Sequence, residues 1–327
     1  MSIRRIRSPL LKRVVLLCIL GVIFSGLGVG GITLASFVEY IKEHMVEDVG
    51  NNLKLLKYVL ENRKKEMGKY VYFYSEEMNK YDKEVIIQKI NYYSSLENYD
   101  IFAWVDSNGN IIYDVHGNRG HICISNFVDV TGDYVVVNKD FMKTFGYENR
   151  CIDGKALLIM SVYPLKGGYL IAADVLNKNN KIFEGIKYST YVDFTIFANN
   201  VRITTTIKNR SGMAIVGTMA DPKVVKEVLI GGGTYEDIAD INGKTYITRY
   251  EPLVDKNGHV VGMIATAINV DKFYEIINNL MIKILIIIIM VSAIVLIIVI
   301  GFMRGIVNKL DEYIELTITY MEKKNKK

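Results

Sequence analysis

Little in these 327 residues suits catalysis: there are four histidines and three cysteines, scattered along the chain. No Walker loop, nucleophile elbow or other recognised catalytic spacing occurs. The expectation is a protein that is not an enzyme and carries no cofactor. His116, His121 and Cys123 do fall together in "HGNRGHIC", but a zinc site usually shows a second paired cluster, and the sequence has none. A loop with incidental histidines is the plainer reading. Positive charge is also missing where a nucleic acid would need it. The overall +5 belongs to the two ends, since Val38 to Lys283 holds 29 Lys and Arg against 31 Asp and Glu. Nucleic-acid binding needs a basic face on the soluble part and is excluded as a partner class.

What the chain does have is two long stretches without charge. Val14 to Phe37 is 24 residues long and Ile284 to Met303 is 20, each enough to cross roughly 30 Å of hydrocarbon as a helix. Arg4, Arg5, Arg7, Lys12 and Arg13 precede the first run, and Arg304 and Lys309 follow the second. Basic residues in short flanks stay cytoplasmic, so both termini are expected inside a cell membrane and the 246 residues 38–283 outside it. The alternative, a signal peptide cleaved after Thr33-Leu34-Ala35, sits poorly with an apolar run far longer than an ordinary h-region. Cys18 lies inside the first run. Cys123 and Cys151 lie in the outer segment, where a bridge between them can persist, and compartment and even count are its only support.

Beyond the first run, Leu53, Leu56, Leu60, Met67, Tyr70, Tyr74 and Tyr81 recur at steps of three and four or their sums. One helix over 38–98 would run about 90 Å at 1.5 Å per residue. Gly50, Gly68 and "SSLENYD" are the places where it is expected to bend or stop. Its apolar stripe either packs on the sheet that follows or, over Val46 to Leu60, pairs with the same helix of a second chain.

The period then changes to two. "IFAWVDSNGNIIYD" reads as strand, turn and strand, as does "PLVDKNGHVVGMI". "DYVVVNKDF" is the best strand between Cys123 and Lys155. The stretch "GKALLIMSVYPLKGGYLIAA" is nearly restated by "GKTYITRYEPLVDKNGHVVG". Gly154-Lys155 stands 89 residues, and Pro164 88 residues, before its counterpart, so the economical reading is two copies of one unit. The second copy is the clearer: a hairpin at Asn199-Asn200, a short helix from Pro222 to Gly231, and a hairpin at Asn242-Gly243.

From Thr195 to Ile268 this pattern resembles the membrane-proximal Cache domain of bacterial chemoreceptors, and Asp100 to Leu176 resembles it more weakly. The resemblance implies an α+β fold: a two-pass membrane protein with a long N-terminal helix and two tandem PAS-like (Cache) antiparallel-sheet modules. The implied segments are a basic N-terminus 1–13, a span 14–37, a long helix 38–98, a membrane-distal module 99–185, a membrane-proximal module 186–270, a second span 284–303 and a short helix 304–327. It implies extracytoplasmic sensing of a small molecule, with the second span carrying the signal as in methyl-accepting chemotaxis proteins. Those receptors continue through a HAMP linker, whereas here "RGIVNKLDEYIELTITYMEKKNKK" follows the second run. Three readings stay open: a chemotaxis-type receptor, the sensor part of a histidine kinase or cyclic-dinucleotide enzyme, and a regulatory partner without its own output. Expected partners are a small-molecule ligand, the lipid bilayer, and a second copy or a receptor in a mixed dimer.

Alternation sorts the ligand candidates, because neighbouring strand residues face opposite ways. Arg202, Thr204 and Thr206 are expected on one face of their strand. Tyr246, Thr248 and Tyr250 oppose Ile247 and Arg249 on theirs. The family places its pocket over one face of this sheet, and an Arg fork among hydroxyls suits a small organic acid or amino acid. Arg249 is kept as a further candidate, and Trp104, Tyr113, His116, Arg119, Tyr134 and Asp174 are the candidates of the distal module. The Arg-x-aromatic signature of amino-acid-binding double Cache domains is not found at the end of the long helix.

Overall fold

The computed structural model describes residues 4–187 and 191–324. Parts of the expected segments 1–13, 186–270 and 304–327 therefore lie outside the described residues, as do the side chains of Arg4, Arg5, Arg7, Lys12, Arg13 and Cys18. The chain divides into two compact units, His44–Asp271 and the pair Met1–Glu43 with Lys272–Lys327.

The larger unit holds two five-stranded antiparallel sheets. The distal sheet is built from β1 (Ile101–Asp106), β2 (Ile111–Asp114), β3 (Asp133–Asn138), β4 (Lys155–Leu165) and β5 (Gly168–Val175) in the order β2-β1-β5-β4-β3. The proximal sheet is built from β6 (Asp193–Ala198), β7 (Val201–Thr205), β8 (Tyr235–Asp240), β9 (Thr245–Val254) and β10 (Val260–Asn269) in the order β7-β6-β10-β9-β8. The two orders are the same, so the doubled sequence is a doubled topology. Even the turns repeat. Asp153-Gly154 (φ 51°, 72°) and Asn242-Gly243 (φ 59°, 75°) each put two left-handed residues before the long fourth strand of the module, β4 or β9, the requirement of a two-residue hairpin loop. Reciprocal backbone bonds, Ile152 with Lys155 and Ile241 with Lys244, close both.

Both sheets rest one face on helix α1 (Arg4–Met78) or on α2 (Lys83–Glu97). Thr266 Oγ1 donates to the Val49 carbonyl at 2.8 Å, Lys57 pairs with Glu251 at 2.9 Å, and Arg63 Nε donates to Asp174 at 2.6 Å. Leu53, Leu56, Leu60 and Met67 are fully buried within this unit, each contributing about 1.5–3 kcal/mol by leaving water. The stripe from Leu53 to Leu60 is thus core of the same chain and not a free seam for a second helix.

The single helix expected over 38–98 is interrupted: α1 ends at Met78 and α2 begins at Lys83, with Asp82 extended before it. The last of the three expected places is where α2 ends, with Asn98 of "SSLENYD" left-handed (φ 52°) and closing it. Helix α1 runs through Gly50 and Gly68 without interruption. A Cβ at Gly50 would stand 3.1 Å from the Arg249 guanidinium, and one at Gly68 3.5 Å from Thr131, so both admit close neighbours.

Opposite the helices each module closes differently. The distal one packs Ile122, Ile124, Phe141 of α3 (Lys139–Thr144), Met142 and Phe145 onto its strands. After β5 comes α4 (Lys181–Lys187). In the proximal module α5 (Pro222–Val224), widening into a π-helical turn over Val225–Ile230, seats Val224 and Val228 on Phe197, Tyr250 and Met263. Asp221 caps α5 by accepting from Lys223 N at 2.8 Å.

In the smaller unit α6 (Val270–Lys324) carries an apolar stretch, Ile277–Met321, with a mean hydropathy of 3.5 in its most apolar window. Ile297, Ile298 and Phe302 on it, and Leu17, Phe24 and Ile32 on α1, are exposed large apolar side chains.

Candidate functional site

A cavity of about 470 Å³ opens on the proximal sheet, away from α1. Its floor is Arg202, Thr248 and Tyr250. One wall is β8, through Tyr235 and Asp237, and the other is the segment 215–224 that follows β7. That segment runs back along β7 as a strap. Arg202 N donates to the Thr218 carbonyl, Gly217 N to the Arg202 carbonyl, and Ala220 N to the Asn200 carbonyl.

Arg202 is the unusual group. It is 6% exposed, its Nη1 donates to Thr218 Oγ1 at 2.5 Å, and its guanidinium lies 5.0 Å from the Phe197 ring centre. Its buried Nε has no hydrogen-bond partner. Among the described residues no carboxylate pairs with it; burial lowers its pKa and only Tyr250 and Tyr246 oppose that shift. A buried cation in this state is costly unless an anion completes it.

The mouth has the opposite sign. Asp221, Asp237 and Asp240 line the cavity together with Lys223. Asp237 accepts from Tyr235 Oη at 2.9 Å and from Ile238 N at 2.7 Å, and these bonds hold its carboxyl below the usual range. Thr248 Oγ1 donates to the Asp237 carbonyl at 2.8 Å, tying wall to floor.

Of the sequence candidates, Arg202, Thr248 and Tyr250 meet in this cavity. Tyr246 lies on the same face but is packed with Ile207 and Ala267. Thr204 and Thr206 are not with Arg202, because β7 bulges. Phe197 pairs with Arg202 but Ile196 pairs with Thr204, so Ile203 is an extra residue. One inserted residue reverses the facing of all that follow. Thr204 instead donates to Asn180 Oδ1 at 3.1 Å, and Thr206 donates to Asp193 Oδ1 at 2.6 Å. Arg249 faces α1 and pairs with Glu236 at 3.2 Å.

The distal candidates do not gather into a site. Tyr113 Oη donates to Asn91 of α2 at 2.8 Å, and Asp174 is bound by Arg63 of α1. Trp104 is buried on that same helix side, its Nε1 without a partner. All three face the helices. The Cys123–Cys151 bridge is not formed. Both thiols are free, Cys123 exposed beside Ser125 Oγ at 3.4 Å and Cys151 packed against the distal core.

Sequence reasoning missed Thr218, Tyr235 and Asp237. The last two were within reach, since alternate residues of β8 face the cavity. Thr218 sits in an irregular strap that no period marks.

Residues 174–280 match the family described as single cache domain 3. The match covers β6 to β10 and the start of α6, so it is the proximal module that is similar to this family. No curated protein matches the chain. Among solved structures, the ligand-binding domain of Pseudomonas fluorescens chemoreceptor CtaA, in complex with L-leucine, is similar at 9% identity over 72% of this chain and 99% of that one, with a TM-score of 0.45. That of Campylobacter jejuni chemoreceptor Tlp3, in complex with 4-methylisoleucine, gives 10%, 72%, 93% and 0.44. The periplasmic domain of Vibrio cholerae LuxQ gives 14%, 69%, 98% and 0.38. Likeness this distant says nothing of what this chain binds.

Proposed function

We propose that the protein is a membrane-anchored extracytoplasmic sensor whose proximal module binds a small carboxylate, an organic acid or an amino acid. The observation that carries this is Arg202: a nine-tenths buried guanidinium, without a carboxylate partner, at the floor of a cavity of about 470 Å³. A ligand carboxylate pairs with this guanidinium, and Thr248 and Tyr250 supply neutral hydroxyl contacts beside it.

Cache domains are extracytoplasmic, and the apolar runs at 14–37 and 284–303 with their basic flanks support a two-span anchor with both termini inside. The exposed apolar side chains on both runs fit lipid better than water. Because β10 and α6 are consecutive in the chain, occupancy of the cavity biases the second span. A chemotaxis-type receptor is the favoured context, with pairing to a second copy or to a related receptor.

Isothermal titration of the full chain in detergent against mono- and dicarboxylates and amino acids tests the reading. One equivalent of a carboxylate bound per chain is expected. Absence of heat across the whole panel overturns it.

A further inference from the structure

We propose that Asp133 clasps the two sheet modules together on α1, so that the opening of β3 in the distal module and the β9–β10 hairpin of the proximal module move as one body.

Asp133 is 4% exposed and stands where three elements converge. Its Oδ1 accepts from Tyr134 N at 2.8 Å and lies 3.4 Å from Lys64 Nζ of α1. Its Oδ2 accepts from Lys256 N, in the hairpin turn of the other module, at 2.9 Å. The Lys256 ammonium reaches the same loop and donates to the Asp129 carbonyl. On the helix side the loop is pressed close. Gly132 has φ 54°, and a Cβ there would overlap the Lys64 carbonyl. Gly132 N donates to Ser161 Oγ at 2.7 Å, and Lys64 Nζ sits 4.2 Å over the Tyr134 ring.

The hairpin does not need Asp133 to close. Asp255 already accepts from Asn257 N at 2.9 Å and from His259 N at 2.8 Å, and Gly258 N donates to the Asp255 carbonyl at 3.1 Å. Both donors of Lys256 are therefore free for the other module. The register makes the same point. Asp133 opposes Met160 as Asp237 opposes Thr248. The carboxylate that lines the cavity in one module has become the tie to the neighbour in the other. A buried carboxylate shared by two modules gives their contact a fixed geometry, because no other orientation satisfies it.

Hydrogen exchange of the full chain in detergent, without ligand, tests this apart from the binding reading. Lys256→Pro removes both donors, yet suits the first central position of the turn. Asp133→Asn keeps an acceptor but removes the charge. Each variant is expected to speed exchange about tenfold, roughly 1.4 kcal/mol, in both places: around Gly132 to Tyr134 and across residues 255–259. The double variant should go no faster than the faster single one. The turn at Asn199-Asn200 should be unchanged. Effects confined to the substituted module, or multiplied in the double variant, overturn the clasp. If Asp133→Asn does not fold, Lys256→Pro carries the test alone.

Discussion

The two modules share a strand order and even a β-bulge, yet at equivalent positions one carries apolar core and the other polar groups. The bulge falls between Val105 and Trp104 in the distal sheet and between Phe197 and Ile196 in the proximal one. Setting the bulges in register places Ile111 where Arg202 stands, Ala103 where Thr195 stands, Val162 where Tyr250 stands, Met160 where Thr248 stands and Leu158 where Tyr246 stands. Every hydroxyl or charge among these proximal residues has an aliphatic side chain for its distal counterpart. The distal set is core, closed by Phe141, Met142 and Phe145. The proximal set keeps a cation with no carboxylate partner among the described residues. The same backbone thus carries an apolar face in one place and, on the proposed reading, a receptor site in the other, and side chains at five positions make the difference.

The comparison is broken most strongly from the apolar side. Leu158→Ala removes a fully buried side chain from the apolar core of the distal sheet. It should cost about 2–5 kcal/mol in denaturant unfolding. A cost well under 1 kcal/mol would mean that the distal face is not the packed core described. Arg63→Met leaves Asp174, with a side chain 14% exposed, without its cation. A loss of about 3 kcal/mol is expected, and no loss would return Asp174 to the list of ligand groups.

The polar side should respond with the reverse sign. Arg202→Met takes a buried, unpaired charge out of the proximal sheet and leaves an apolar stem on Phe197. The unliganded chain should become more stable by about 1 kcal/mol, and destabilisation in thermal unfolding would argue that Arg202 is structural. Tyr250→Val, which installs the distal residue, should weaken ligand binding about tenfold. An unchanged titration would move the ligand elsewhere. The smallest effect concerns the thiols. Replacing Cys123 by Ser should leave stability within about 0.5 kcal/mol. Because Cys123 is exposed, a membrane-impermeant maleimide should label intact cells at this residue, and protection would place the module inside.

Much of this was legible from local chemistry. Asn242-Gly243 announced its hairpin because both positions need positive φ, and Asp221-Pro222 announced the start of α5. The doubled Gly-Lys and Pro positions announced the repeat. What could not be read is what depends on partners distant in sequence. Arg63 and Asp174 are 111 residues apart, so nothing marked Asp174 as already taken. The bulge at Ile203 is equally silent. "VRITTTI" alternates as any strand does, and a rule of period two therefore put Thr204 and Thr206 beside Arg202. Asp82, where the long helix breaks, looked no different from the acids around it.

The most direct measurement is a calorimetric titration of the wild-type chain, Arg202→Met and a distal variant such as Ile111→Val, each full length and each against the same small carboxylate. Wild type and the distal variant should take up one equivalent, and Arg202→Met none. Binding that survives in Arg202→Met, or fails in Ile111→Val, contradicts the assignment of the proximal cavity as the receptor site.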